Sequence, residues 1–318
     1  MKKNKQQLII IILLVVVLFF SPWKTPPPLH YIDRSTGQIK TEQTMSGTWL
    51  YWLYNNPLGE LTLSALVKRK IITEIYGTYM HSSWSAHKID PFIRQYHIDT
   101  SQFVMNHFGS FNAFFIRKLK PGVRKIDTDK QVVIAPADSK CLVYPDIDST
   151  DFLVKGMQFN VQSFLRNDTL AKKYRNGSLL VFRLAPTDYH RYHFPLSGIV
   201  SPTHKISGFY YSVNPIALRE DSRIFLENKR QYQIIQSPVF GKVVMAEIGA
   251  TMVGSMVSTH LGNTAVKGEE EGYFQFGGST VVLLFEKGKI HIDGDLIKNS
   301  KNHLETSVRM GEEVGLVR

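Results

Sequence analysis

The chain has 318 residues, of which 43% are hydrophobic and 12% aromatic. This composition excludes an intrinsically disordered protein and allows a large core. Lysine and arginine number 38 against 27 aspartates and glutamates, a formal net charge of +11, which favours an anionic partner such as nucleic acid, anionic lipid or a phosphate-bearing substrate. Cys141 is the only cysteine; an internal disulfide is therefore excluded, and we interpret the residue as a small buried apolar side chain.

Residues 1–24 are predicted to be an uncleaved membrane anchor. Lysines at the start precede an uncharged apolar run over residues 8–20, and no small-residue cleavage site follows, because Pro22 and Trp23 are bulky. The run is short for a full span, which needs roughly 17–25 residues. We expect the protein to be held at the cell membrane by this segment, with Trp23 near the interface.

Residues 25–47 are predicted to be a linker, because a triple proline forms a stiff spacer and the residues after it are mostly polar. Residues 48–125 are predicted to be a helical, membrane-proximal region. A helix over residues 58–79 carries apolar side chains four apart and follows an aromatic cluster at 49–54. Such a helix fits an anionic membrane surface and equally fits packing against the domain. A second helical stretch is predicted over residues 89–119.

Residues 126–318 are predicted to be a β-rich domain. Short β-branched and aromatic runs alternate there with glycine, proline, asparagine and aspartate. The expected fold class is α+β, with N-terminal helices followed by a mostly antiparallel β-rich domain. The basic residues are dispersed and form no recognisable nucleic-acid module, so nucleic acid is not expected as a partner.

A glycine pair interrupts the strand pattern between residues 272 and 285. Gly277 and Gly278 separate two runs of good strand formers, and Ser279 follows at once. One interpretation is a hairpin with these residues at its tip. The other is that the Ser279 hydroxyl attacks the unhindered carbonyl of Gly278, which requires a bent peptide and a base to remove the proton.

Candidate partners for such a serine occur at two other places. Asp138 follows an apolar strand and a proline, where it could also simply cap a turn. His190 and His193 follow a second apolar strand and, being three apart, would face opposite sides of an extended chain. Zinc binding by the two histidines and a purely structural role for them are the alternatives; no third ligand pattern is evident, so no metal is expected.

Taken in this order, the groups resemble the phosphatidylserine decarboxylase family of pyruvoyl enzymes. Each motif is weak alone, whereas the ordered set is specific, and the similarity runs through most of the chain after residue 100. Many bacterial members have Leu-Gly-Ser-Thr where this chain has the variant Gly-Gly-Ser-Thr. The matching blocks are Phe111–Arg117, Lys120–Arg124, Ala135–Asp138, Leu184–Pro195, Tyr211–Pro215, Glu247–Gly254 and Lys267–Glu269.

The resemblance implies a self-cleaving catalytic domain. Ser279 would attack the Gly278 carbonyl with His193 as the base, oriented by Asp138, to form an ester. Elimination and hydrolysis would then leave a pyruvoyl group at residue 279. The chain would thereby split into a β chain (1–278) and an α chain (279–318) that stay together as a heterodimer.

The resemblance also implies the second reaction, decarboxylation of phosphatidylserine to phosphatidylethanolamine. The pyruvoyl cofactor derived from Ser279 would form a Schiff base with the substrate amine and accept the electrons released with carbon dioxide. His190 would act in this step. The anchor and the positive charge suit a substrate in an anionic membrane. There are two alternatives: an enzyme that decarboxylates a free amino acid such as tryptophan, and a lipid-binding protein that does not process itself. The chain could also form a homo-oligomer.

Overall fold

An eleven-stranded sheet forms the centre of the protein. The computed structural model describes residues 25–45, 47–63, 70–105, 107–149, 152, 159–221, 223–250, 256–277 and 279–318. From edge to edge the sheet has the order β12-β7-β9-β10-β14-β5-β4-β16-β1-β2, with β8 paired to β9. The neighbouring strands are antiparallel except for the parallel pair β1 and β16. Its strands are β1 (His30–Asp33), β2 (Gln38–Thr41), β4 (Ser139–Tyr144), β5 (Ser178–Leu184), β7 (Gly198–Val200), β8 (His204–Ile206), β9 (Arg230–Ser237), β10 (Gly241–Gly249), β12 (Thr264–Ala265), β14 (Ser279–Phe285) and β16 (Glu305–Val308).

Two three-stranded sheets accompany the large one. One has the order β11-β13-β6 and the other β15-β17-β3. The first of them, which we call the small histidine sheet, carries the segment with His193. The strands are β3 (Val132–Ile134), β6 (Arg191–His193), β11 (Met256–Ser258), β13 (Glu270–Phe274), β15 (Ile290–Ile292) and β17 (Glu313–Val317).

Strand β14 lies in the middle of the large sheet. Every residue of β14 and of its neighbour β5 is buried. The apolar runs of both strands explain this, because a strand covered on both faces needs a continuous hydrophobic sequence rather than an alternating one. Each fully buried leucine or phenylalanine contributes about 1.5–3 kcal/mol. The start of β14, at Ser279, is therefore held firmly in place.

The helices before residue 126 pack on the segment that leads into β14. A cluster of buried phenylalanines in this region includes Phe276, which lies between β13 and β14. This contact ties the helical region to the glycine pair. The helices of the whole chain are α1 (Gly47–Asn55), α2 (Pro57–Thr62), α3 (Lys70–His81), α4 (Ile89–Tyr96), α5 (Phe111–Phe115), α6 (Val161–Leu165), α7 (Asp168–Ala171), α8 (Pro215–Glu220), α9 (Ile224–Glu227) and α10 (Gly294–Lys301), with 3-10 turns at Ser83–Lys88, Thr100–Gln102 and Lys172–Tyr174.

The α+β fold class is confirmed. Several finer expectations differ from the structure. The segment 25–47, expected to be a linker, contains β1 and β2, because β1 pairs with β16 and extends the large sheet. The stretch 58–79 contains α2 and α3, with residues 64–69 outside the described part, and the stretch 89–119 contains only the short helices α4 and α5 with a 3-10 turn.

Strands β13 and β14 do not form a hairpin with each other. Strand β13 pairs with β6 and β11 in the small histidine sheet, whereas β14 pairs with β10 and β5 in the large sheet. The chain therefore changes sheets between Phe274 and Ser279. The expected anchor, residues 1–24, lies outside the described residues, and none of the helices that are described has the length and apolar character needed to cross a bilayer.

A buried ion-pair cluster attaches the N-terminal strands to the large sheet. The guanidinium of Arg183 on β5 bonds Glu42, just after β2, and Glu305 on β16, with distances of 2.5 and 2.6 Å. The Arg183 side chain is 3% exposed. A charge in such a site must keep its partners, because an isolated buried ion is very costly.

We expect Arg183→Ala to lower the free energy of unfolding by about 3–5 kcal/mol, because Glu42 and Glu305 would remain buried without a partner. Urea denaturation followed by tryptophan fluorescence measures the change. The matched control is Arg223→Ala, which removes an exposed pair with Asp221 and should leave the stability nearly unchanged. Equal effects of the two substitutions would contradict this account of the cluster.

Candidate active site

Ser279 opens β14 with a buried hydroxyl that lacks a partner. In the sheet register it lies opposite Gly249 on β10 and Leu184 on β5. Its side chain is fully buried, and its Oγ makes no hydrogen bond with any described group. Buried hydroxyls are normally paired, so an exception requires an explanation such as a catalytic role. Gly278, on the other side of the expected cleavage point, lies outside the described residues.

The residues before Ser279 are fixed by the helical region. Gly277 has a φ of +142°, a conformation that side-chain-bearing residues rarely adopt and that lets the chain leave the small histidine sheet. The N–H of Phe276 donates to Oδ1 of Asn112 at 2.9 Å, and its ring lies 5.0 Å from that of Phe115. The bent segment is thus held from both its main chain and its side chain.

His190 lies in the same aromatic cluster. Its ring centroid is 3.8 Å from that of Phe115, and its carbonyl accepts a hydrogen bond from Phe274 N–H at 2.9 Å. Its Nδ1 is 2.9 Å from the carbonyl of Asp188. A carbonyl only accepts, so Nδ1 carries the proton in this contact and Nε2 keeps its lone pair.

The electrostatics keep His190 neutral. Nε2 is buried without a hydrogen-bond partner among the described residues. Burial lowers the pKa of His190 to about 3, with Arg117 and Lys140 acting in the same direction and the bond to the Asp188 carbonyl opposing them. The ring is therefore an uncharged group with an available acceptor nitrogen, surrounded by aromatic side chains.

The turn that presents His190 is stabilised by residues that sequence reasoning missed. The carboxylate of Asp188 binds Lys140 Nζ at 2.9 Å and the N–H of Ala185 at 2.8 Å. The guanidinium of Arg117 donates to the carbonyls of Thr187 and Asp188 at 3.1 Å. The sequence signal was a Pro-Thr-Asp turn beside the histidines, but nothing in it indicated Lys140 or Arg117 as partners.

His193 faces a different environment from His190. Its Nδ1 is 3.0 Å from the carbonyl of Gly268, and its Nε2 is 3.5 Å from the hydroxyl of Tyr189. Burial lowers the pKa of His193, while Glu270 and Asp138 oppose the shift. The two histidines thus have different partners; His190 precedes β6 and His193 ends it, so their opposite orientation within one strand stays a prediction.

Asp138 lies near His193 but is not bonded to it. The N–H of His193 donates to the carbonyl of Pro136, two residues before Asp138. The carboxylate itself accepts from Arg124 Nε at 2.9 Å and from the Met310 N–H at 2.9 Å. The expected hydrogen bond from His193 to Asp138 is therefore absent. Asp138 pairs with Arg124 instead, because the guanidinium offers two donors in a fixed geometry. His193 binds the carbonyl of Gly268.

The structure thus groups the predicted residues in two halves. His190 lies against Phe115, which contacts Phe276 in the segment that leads to Ser279, whereas Asp138 and His193 lie near one another beside Gly268. Within the described ranges, no set of three or more histidine, cysteine, aspartate or glutamate side chains could hold a metal ion. Cys141 is buried in β4, and burial raises its thiol pKa, so it is not a nucleophile.

Residues 111–316 match the profile of the phosphatidylserine decarboxylase family. The chain belongs to this family. The phosphatidylserine decarboxylase proenzyme of Fusobacterium nucleatum is 48% identical over 291 residues, covering 90% of this chain and 97% of that protein. The proenzymes of Clostridium botulinum and Desulfitobacterium hafniense are 45% and 42% identical, over 90% and 91% of this chain and 99% and 98% of theirs. The family resemblance read from the motifs is confirmed.

The neutral state of His190 predicts a pH-dependent stability. Its pKa is about 3 in the folded chain against an ordinary 6.5, so the unfolded chain binds the proton first. The contribution of His190 to the free energy of unfolding is complete above about pH 6.5. This contribution is lost as the pH falls toward 3, at about 1.4 kcal/mol per pH unit. We expect His190→Gln to remove this slope, as measured by urea denaturation between pH 7 and 4.5.

The measurement uses chains that also carry Ser279→Ala, so that the backbone stays intact. His291→Gln, at an exposed position of β15, is the matched control. An unchanged slope in His190→Gln would mean that the ring is protonated in the folded state.

Proposed function

We propose that this chain is a phosphatidylserine decarboxylase that activates itself by cleavage before Ser279. The observation that carries the proposal is the buried, unpaired Ser279 hydroxyl at the point where the chain changes sheets. Relatives named phosphatidylserine decarboxylase proenzyme over nearly their whole length support it. The name proenzyme fits a chain that is cut into the segments 1–278 and 279–318, which remain together as a heterodimer.

In the proposed cleavage, His193 takes the proton from Ser279 Oγ. The oxygen attacks the Gly278 carbonyl, the C–N bond breaks, and the nitrogen takes up a proton, which leaves an ester. Loss of the Cα proton and of the Cβ–O bond then gives dehydroalanine and a free Gly278 carboxylate. Water converts the dehydroalanine to the pyruvoyl group with release of ammonia. Asp138 supports His193 electrostatically, because its charge opposes the fall in the pKa of His193.

His190 is the second candidate for the base. Its free Nε2 and its contact with Phe115 favour it, since Phe115 also touches Phe276 close to Ser279. Its pKa of about 3 disfavours it, because so weak a base accepts a serine proton poorly at neutral pH. We therefore assign the cleavage to His193 and the decarboxylation to His190.

The residues around Ser279 fit a pyruvoyl cofactor. The group would take the place of the Ser279 side chain, in a dry site with room for it opposite the side-chain-free Gly249. When formed, it supplies a carbonyl that accepts the electron pair released with carbon dioxide. The neutral ring of His190 would border it and exclude water together with Phe115 and Phe276.

A cavity of about 450 Å³ lies between α3 and the segment before Ser279. Its lining includes His81, Asn112, Gln275 and Phe276. We infer that the polar headgroup of the lipid reaches the site from this side, since Phe276 borders both the cavity and the His190 cluster.

The same helix carries exposed apolar residues that suit a membrane. Ile71 and Ile75 on α3 are each 63% exposed, and Trp84 in the following turn is 81% exposed. Isolated apolar side chains on a surface are common, but these lie on consecutive elements next to the cavity. We infer that this face, with the N-terminal segment 1–24 as an anchor, holds the enzyme at an anionic cell membrane.

The cleavage prediction separates the two histidines. Purified wild-type chain should give fragments 1–278 and 279–318 on intact-mass analysis, the latter with a pyruvoyl start, and Ser279→Ala should remain whole. His193→Gln should slow cleavage about 100-fold or more. His190→Gln is its control: it should cleave yet fail to release carbon dioxide from phosphatidylserine.

Ser35→Ala, which removes a serine hydroxyl from the exposed turn between β1 and β2, is the control for Ser279→Ala and should cleave normally. Blocked cleavage in His190→Gln with normal cleavage in His193→Gln would transfer the base role to His190. A wild-type chain that folds and stays intact would overturn the proposed self-cleavage.

The membrane prediction concerns the double variant Ile71→Glu, Ile75→Glu. Its affinity for phosphatidylserine vesicles, measured by co-sedimentation, should be lower by about tenfold or more. The reason is that the lost apolar burial amounts to more than about 1.4 kcal/mol. Its thermal midpoint should be unchanged because both positions are exposed. Ile39→Glu on β2, which is 64% exposed, is the matched control and should bind as the wild type does.

Each variant is compared in the full chain and in a chain that begins at residue 25. If removal of residues 1–24 leaves partitioning unchanged, that segment is not the anchor. If the double variant binds as well as Ile39→Glu does, the α3 face is not a membrane contact.

A further inference from the structure

A second buried polar group faces the same side of the large sheet as Ser279. In the pairing of β10 with β14, Glu247 lies opposite Val281 and Gly249 lies opposite Ser279. Directly opposite residues share a face, and residues two apart on one strand share it too. Glu247 and Ser279 are therefore diagonal neighbours on one face, a spacing of roughly 7–8 Å that a long side chain can bridge.

Glu247 lies in the interior without a well-formed hydrogen bond to its carboxyl group. Its residue is 1% exposed, and neither carboxyl oxygen makes a hydrogen bond among the described residues. Replacing such a group by an apolar side chain of similar size would ordinarily stabilise a fold. Its position beside the equally unpaired Ser279 hydroxyl indicates that the pocket serves the reaction rather than stability.

The small histidine sheet supplies a second carboxyl to this pocket. Glu271 is an extra residue at a register shift in β13, between Glu270 and Gly272, and is 1% exposed with both carboxyl oxygens unpaired. The hydroxyl of Tyr192 on β6 lies near it, also buried and without a well-formed hydrogen bond. A side chain at Gly272 would lie 2.7 Å from that hydroxyl, so this glycine leaves the space that the Tyr192 side chain occupies within the small histidine sheet.

The two carboxyl groups favour each other's protonated forms. Burial raises the pKa of Glu247 well above its usual value, and the charge of Glu271 raises it further. Burial also raises the pKa of Glu271. Two like charges in one dry pocket cannot both be ionised, so the pair retains at least one proton at neutral pH.

We propose that Glu247 and Glu271 share a proton beside Ser279 and that Glu247 gives this proton to the Ser279 nitrogen during self-cleavage. The inference rests on the proposed function, since it assigns the acid for that same reaction. As Ser279 Oγ bonds to the Gly278 carbon and the C–N bond breaks, the O–H bond of Glu247 breaks and an N–H bond forms. The proton from Oγ goes to the base and from there back to the pair, so that one proton is again shared between Glu247 and Glu271.

The main test follows cleavage of freshly translated full-length chain over time on gels. Glu247→Gln keeps the size and neutral charge of the acid but cannot give up a proton, so it should slow cleavage about 100-fold or more. Glu271→Gln should leave the acid in place but remove the repulsion that raises its pKa. The rate should fall as the pH rises through the pKa of the donor, and Glu271→Gln should shift that fall to lower pH.

The groups around the pair belong to several elements. They influence the pKa of one or the other carboxyl group, and they are Tyr192 on β6, Gln231 on β9, Glu270 on β13 and His260 near β13. All of these groups are present both in the wild type and in Glu271→Gln, so the two chains differ at this site by one carboxyl group. A purely structural role for the pair would not move the pH profile.

Folding is checked separately in chains that carry Ser279→Ala. In that background, Glu247→Leu should raise the thermal midpoint of unfolding. In the wild-type background, the same substitution should slow cleavage. A residue with a purely structural role would not give both results. Wild-type cleavage rate in Glu247→Gln, or an unshifted pH profile in Glu271→Gln, would overturn the proposal. A wild-type chain that never cleaves would overturn the proposed function instead.

Discussion

The structure depends on one crossing of the chain, from the small histidine sheet into the middle of the large sheet, within the few residues before Ser279. Strand β14 is buried on both faces and paired on both edges, so its first residue cannot shift. The segment before it is fixed by Asn112 and the phenylalanine cluster. The chain is therefore fixed on both sides of the point where it changes sheets.

The surroundings of that crossing are apolar, and this sets the electrostatics of the site. The same burial that lowers the pKa of His190 raises the pKa values of Glu247 and Glu271. Both changes follow from the cost of a charge in a dry interior. Burial in this interior therefore favours the neutral forms of the imidazole and of both carboxyl groups.

The helical region before residue 126 connects this interior to the outside. Its phenylalanines reach Phe276 on one side, and its α3 helix carries Ile71 and Ile75 on the surface next to a cavity. The N-terminal strands are joined to the same body through the Arg183 cluster rather than forming a loose spacer. This arrangement suits an enzyme whose substrate arrives from a membrane surface.

The sequence by itself determined the α+β class and the family and supplied the candidates for the site residues, because those depend on local patterns and on an ordered set of short motifs. It also predicted that His190 and His193 face different ways, which follows from strand alternation. Only the tertiary structure decided that Asp138 pairs with Arg124, that Lys140 and Arg117 support the His190 turn, and that Glu247 shares a sheet face with Ser279 and is influenced by the charge of Glu271. These contacts join residues distant in the chain, and the pairing register that creates them is set by the whole sheet and not by any local stretch.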